Sequence, residues 1–143
     1  MNALDILLPL IRKSEGCALS AYKCPAGIWT IGYGCTGKNI AEGLEWNQAT
    51  ADLALIKRAT QAINEALRVS PILIPHPNKT AAIADLIFNL GLGGYVGHSL
   101  KPIVDKGDWV DAASEIQLFC RAGGKVLAGL QTRRMAEAKL LVS

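Results

Sequence analysis

The chain has 143 residues, half of them apolar, with 19% charged, 6% aromatic and a net charge of +3. That length supports one domain with a real core, and the composition excludes disorder, collagen-like repeats and low-complexity sequence. No stretch approaches the roughly 18 uninterrupted apolar residues of a membrane span, since Ile83 to Val96 is broken by Asp85, Asn89 and glycines.

Asn2 to Ser14 carries Leu4, Leu7, Leu8 and Ile11 on one helical face. Pro9 marks either a kink or the first turn of a helix beginning at Leu8, and Gly16 ends it. Asp5 and Pro9 interrupt this first apolar run, Arg12-Lys13 follows it, and no small-residue cleavage site appears, so a signal peptide is not expected. The expectation is a chain made and folded in a cytoplasm, without stable membrane insertion, its four cysteines reduced. From Ala21 to Ile40, strand formers such as Tyr22, Ile28, Trp29, Ile31 and Tyr33 alternate with glycines, which predicts an antiparallel sheet of two or three strands.

The pattern is helical from Asn47 onward. Asn47 caps a helix running to about Val69, with Leu53, Ile56, Ile63 and Leu67 as its buried stripe and Trp46 as a candidate hydrophobic staple. After Pro71, Pro75 and Pro77 come a helix from Asn78 through Asn89 and a short one from Ser99 to Lys106. Asp108, with Asp111 as its capping-box partner, starts a helix through about Phe119. Ala122-Gly123-Gly124 reads as a loop, and Gly129 to Val142 as the last helix. The predicted fold class is α+β and mostly helical: a small N-terminal sheet and a helical bundle joined by a long helix, with a cleft between. Within a single domain 1–143, the lobes are about 15–46 and about 47–143 plus the N-terminal helix.

Cys17, Cys24, Cys35 and Cys120 form no CxxC pair, and His76 and His98 lack ligand spacing, so no metal is expected. Basic residues occur in no run longer than pairs such as Lys57-Arg58 and Arg133-Arg134, so nucleic acid is not an expected partner. Cys17 and Cys120 read as core cysteines. Arg133-Arg134 with Glu137 reads as a structural ion cluster on the last helix. Trp29 and Trp109 read as packing residues.

Glu15 sits where a helix ends and the sheet begins. The negative end of the helix dipole disfavours its ionisation, and apolar neighbours would add desolvation, so the carboxyl could stay protonated and donate. Glycosidases need such a group to protonate the leaving oxygen. By itself, Glu15 reads first as a solvated residue after a helix. Eight residues separate Glu15 from Cys24, and five separate Cys24 from Thr30.

That spacing, with the wording Gly27-Ile-Trp-Thr30-Ile-Gly-Tyr-Gly34, resembles the active-site signature of the bacteriophage lysozyme (endolysin) family, the phage-type muramidases. Asp85-Leu-Ile-Phe88-Asn89-Leu-Gly91 and Gly129-Leu-Gln-Thr-Arg133-Arg134-Met-Ala-Glu137 resemble further family segments, in the right order over nearly the whole chain. Cys24 stands where aspartate is more common, and Cys35 where a histidine is usual.

The resemblance implies a lysozyme-like fold and cleavage of the β-1,4 bond between N-acetylmuramic acid and N-acetylglucosamine in peptidoglycan. Glu15 would be the acid, with Cys24 and Thr30 acting on the opposite face of the ring, and Thr36, Phe88 and Ser99 would line the saccharide cleft. Phe88 reads equally as a core aromatic, and Cys24 as a small buried hydrophobe. No cofactor is implied. The expected protein is a monomer in the host cytoplasm, released to the wall or periplasm by a separate pore-forming protein (a holin). The cysteine at position 24 keeps two alternatives open, a lytic transglycosylase and an inactive peptidoglycan-binding module.

Overall fold

The computed structural model describes residues 1–143. Helix α1 is Ala3–Glu15. It begins at Asn2 rather than Leu8, because Asn2 and Asp5 form a reciprocal capping box, with Asp5 N–H donating to Asn2 Oδ1 at 2.9 Å and Asn2 N–H to Asp5 Oδ2 at 3.2 Å. Pro9 lies inside the helix on its exposed side, while Leu7 and Ile11 are fully buried and tie down the turns around it.

Strand β1 (Ala18–Lys23) pairs antiparallel with β2 (Trp29–Gly32), with Tyr22 opposite Thr30 and an irregularity between Ala18 and Tyr22. The chain returns along the other edge of β1, where Ala21 N–H donates to Leu44 O and Trp46 N–H to Leu19 O. The Trp46 ring lies 2.8 Å from where a side chain on Gly32 would begin, so that backbone approach requires glycine.

Helix α2 (Gln48–Val69) starts at Asn47, whose side chain accepts from Thr50 N–H at 2.8 Å. Its buried face differs from the predicted stripe. Leu53 is 69% exposed and Ile56 also faces solvent, whereas Ala51, Leu55, Ala59, Ala62 and Ala66 are buried. The physical reason is close packing against α3 (Pro77–Leu90), which brings its own alanines 81, 82 and 84 into the core. Small side chains let the helices approach with Leu55 buried among them, while Leu53 and Ile56 are left outside and Ile63 and Leu67 pack at the edge. Helix α3 is buried from Lys79 through Ile87 and forms the centre on which α1, α2 and the last helix pack.

Helices α4 (Gly93–Val96), α5 (Leu100–Asp105) and α6 (Trp109–Ile116) follow. A buried clasp holds them to the end of α2: Ser70 Oγ lies 2.7 Å from Tyr95 OH and donates to Asp105 Oδ1 at 2.7 Å. Asp108 precedes α6 with ψ near 74°, outside the extended geometry of an N-cap, and makes no side-chain cap, so the expected capping box is absent. The segment read as a loop at 122–124 is the turn of a small hairpin, β3 (Arg121–Ala122) with β4 (Lys125–Val126). Helix α7 (Ala128–Leu141) closes the chain against α3 and α6. No helix is long and apolar enough to cross a membrane.

Candidate active site

Glu15 is the last residue of α1, and the burial of Leu7 and Ile11 fixes where the helix presents it. Its Oε1 accepts from Arg133 Nη1 at 2.5 Å, and its side chain keeps 23% exposure. Arg133 comes from α7 and is buried. Its other edge grips Asp85 of α3 in a fork, Nε to Oδ2 at 2.9 Å and Nη2 to Oδ1 at 2.8 Å. Asp85 has no exposure at all. Glu15, Arg133 and Asp85 thus link α1, α7 and α3.

This arrangement corrects two expectations. The nearest partner of Glu15 is a guanidinium rather than an apolar wall, because α7 crosses the end of α1. Arg133 therefore reaches into the site, and only Arg134 with Glu137 keeps the structural character read for the cluster. Arg134 Nη2 donates to Glu137 Oε2 at 3.0 Å and to Asn89 Oδ1 at 2.9 Å. Burial opposes the charge on Arg133, but the hydrogen bonds and fields of Asp85, then Glu15, outweigh it and raise its pKa above the ordinary value.

The second carboxylate oxygen of Glu15 faces the turn after β2. A side chain built on Gly34 would start 2.9 Å from Glu15 Oε2, and Gly34 has φ +80°. Gly34→Ala is therefore expected to cost roughly 1–2 kcal/mol in backbone strain and to displace the carboxyl. Comparing thermal melts with turnover checks this: activity should fall tenfold or more while most of the protein remains folded, and an unchanged turnover would contradict it.

Cys24 opens the turn between β1 and β2, closed by Gly27 N–H to Cys24 O at 2.8 Å and Cys24 N–H to Ile28 O at 2.9 Å. Its half-buried thiol has a pKa lowered from the ordinary value, chiefly because the Ile28 backbone favours the thiolate; desolvation opposes this, and the Ala26 backbone and the Thr30 hydroxyl add to it. Thr30 is buried, and its Oγ1 donates to Ile28 O at 2.9 Å. Lys23 faces away, its Nζ 5.4 Å over the Trp29 ring.

The structure thus brings Cys24 and Thr30 together, and Glu15 with Arg133 and Gly34. Thr30 and Gly34 are four residues apart, so their backbones lie within about 14 Å of each other. Thr36 is exposed just beyond Cys35. The half-buried Phe88 ring lies 4.2 Å from the guanidinium carbon of Arg58, whose Nη1 donates to Tyr33 O at 3.0 Å. Ser99 is elsewhere in the helical lobe, where its Oγ donates to Glu115 Oε1 at 2.5 Å in a cavity of about 420 Å³ shared with His98, Phe119 and Arg121. Phe88 lines a separate cavity with Arg58 and Glu65.

Trp109 packs edge-on against His76 at 5.6 Å, in keeping with a packing role. All four cysteines are free, and Cys17 is exposed in the turn after α1 rather than in the core, while Cys120 is half-buried at its edge. No three His, Cys, Asp or Glu side chains come together in a way that could hold a metal ion. Sequence reasoning missed the roles of Arg133, Asp85 and Gly34. A signal for Asp85 was present, since a charge inside an otherwise apolar buried helix demands a partner cation.

Comparison with known proteins places this arrangement in a broader set. A family model described as phage lysozyme matches residues 12–137. An endolysin of Acyrthosiphon pisum secondary endosymbiont phage 1 is 37% identical over 142 residues, covering 95% of this chain and 94% of the relative. Among solved structures, the active form of the P1 phage endolysin Lyz superposes with a TM-score of 0.85 at 26% identity, over 99% of this chain and 84% of that one. The muramidase domain of SpmX from Asticaccaulis excentricus gives a TM-score of 0.81 at 25% identity, over 99% and 95% of the two chains.

Proposed function

The chain belongs to the phage lysozyme family and is a peptidoglycan hydrolase, and we propose that it cleaves the β-1,4 bond between N-acetylmuramic acid and N-acetylglucosamine with Glu15 as proton donor. The observation that carries this reading is the Glu15 carboxyl at the end of α1, one oxygen held by Arg133 and the other facing Gly34 without a hydrogen-bond partner. Oε1 is anchored, so Oε2 is the oxygen that delivers the proton to the glycosidic oxygen.

As that bond breaks, positive charge builds on the anomeric carbon and ring oxygen. Cys24 answers from the hairpin. Its sulfur carries a lowered pKa, which enlarges the thiolate fraction available at neutral pH. The thiolate offers negative charge and takes a proton from the attacking water, while the Thr30 hydroxyl holds that water. The water oxygen bonds to the anomeric carbon, and the leaving sugar departs with the proton from Glu15. Thr36 and Phe88 are subsites for the rest of the glycan, with Phe88 stacked under Arg58; Ser99, bonded to Glu115 in a separate cavity, serves only an outlying part of a longer glycan.

Release of new reducing ends from purified peptidoglycan tests the reading. Within the same assay, Cys24→Asp is expected to keep activity within about tenfold, because a carboxylate supplies both charge and base. Cys24→Ala is expected to lose about 10²-fold or more, within the range for removing an acid–base group. Full activity in the alanine variant would show that the sulfur takes no part.

Residues 1–143 act as a single lysozyme-like domain and as a monomer. The enzyme waits in the host cytoplasm and reaches the wall when a separate pore-forming protein opens the membrane.

A further inference from the structure

Five charged side chains meet behind the sheet: Glu15 from α1, Asp85 from α3, and Arg133, Arg134 and Glu137 from α7. Three carboxyls face two guanidiniums, in a region where Asp85, Arg134 and Glu137 have no exposure. A buried charge needs a partner, and each guanidinium has one: Arg133 grips Asp85, and Arg134 grips Glu137. Burial of Glu137, then the neighbouring Asp85 carboxylate, push its pKa well above the ordinary value, with Arg134 pulling the other way. Arg134 Nε lies 2.5 Å from Glu137 Oε1, but both atoms lack a properly aligned hydrogen bond, so this close contact does not outweigh the burial. Asp85, held by both bonds of the fork, is the anion that balances Arg133 from within.

We propose that Asp85 is a positioning residue for the reaction: it holds the inner edge of the Arg133 fork, aims the outer nitrogen at Glu15 Oε1, and takes the share of guanidinium charge that would otherwise fall on Glu15. The inference rests on the reading of Glu15 as proton donor. A guanidinium with no second anion favours the ionised form of the carboxylate it touches, and an ionised donor has no proton to give. A guanidinium shared with a buried aspartate does so less, while still fixing the direction of the carboxyl. The other groups near Glu15 are few. Arg12 and Lys13 lie on its own helix and point to solvent. Gly34 brings only backbone, and Arg58 of α2 is occupied by Tyr33 O and the Phe88 ring.

The test is the pH profile of kcat/KM on soluble peptidoglycan fragments, together with the carboxyl 13C titration of Glu15 in the free enzyme. Asp85→Asn keeps the shape of the side chain and removes its charge. Its alkaline limb should move down by about one pH unit, a roughly tenfold loss of rate on the alkaline side, and the Glu15 titration should move with it. Glu137→Gln, which changes a carboxyl held by Arg134 rather than by Arg133, should leave both where they are. Asp85→Glu retains the charge, so its limb should stay in place even where the longer side chain lowers kcat, and it serves if Asp85→Asn does not fold. Rates of Asp85→Asn reduced by one factor at every pH, with the Glu15 titration unmoved, would mean a merely structural role and would overturn the proposal. An equal displacement of the limb in Asp85→Glu or in Glu137→Gln would overturn it too. A titration that moves while the limb does not would show instead that Glu15 is not the proton donor, and the proposal would fail with that reading.

Discussion

Glu15→Gln is expected to slow peptidoglycan cleavage by about 10²–10⁴-fold, the range for loss of a general acid, while the protein stays folded. Glutamine has nearly the same shape, and its amide oxygen can still accept from Arg133 Nη1. The ion pair it replaces keeps 23% exposure on the glutamate side, so the loss of stability should be about 1 kcal/mol or less. Arg133 retains both bonds to Asp85. A large loss of turnover with a nearly unchanged melting temperature separates chemistry from folding. Wild-type clearing of cell walls by the glutamine variant would remove Glu15 from the reaction.

Arg133→Met produces the largest expected loss of stability in the molecule. Methionine fills much of the volume but leaves Asp85 fully buried and without its cation. Stranding one partner of a buried pair costs about 3–5 kcal/mol, which for a chain of this size lowers the melting temperature by on the order of 10 °C. The contrast is Lys101 with Asp105, an exposed pair four residues apart on one helix, whose removal should cost at most about 1 kcal/mol. Adding Asp85→Leu to Arg133→Met should recover most of the melting temperature, because an apolar pair replaces a stranded charge. Activity should not return, since nothing then holds Glu15 Oε1. A double variant that regained both would mean that the fork serves only the core.

The sequence was most legible where local chemistry decides structure. Asn47 sits before α2 and caps it, and the strand-forming stretch before Gly34 folds as an antiparallel pair, β1 with β2, as its residues predict. Glu15, Cys24 and Thr30 were singled out by their likeness to a family signature, which needs only short segments of local geometry. Legibility failed where a distant element decides. The leucine and isoleucine stripe of α2 lost to its alanines because close packing against α3 favours small side chains, which periodicity alone does not reveal. The partner of Glu15 lies 118 positions away on α7, and Asp85 reads as an interruption of an apolar run until Arg133 is seen beside it. Ser99 lies in a cavity of its own with Glu115, a neighbour that only the helix crossing supplies.

The most direct measurement is the chemistry of the ends made when purified peptidoglycan is digested, read by mass spectrometry for the wild type and for Glu15→Gln. Proton donation by Glu15 followed by attack of water predicts N-acetylmuramic acid with free reducing ends in the wild-type digest, and almost none with the glutamine variant. Fragments ending in 1,6-anhydro muramic acid, or equal yields from the two proteins, would contradict it.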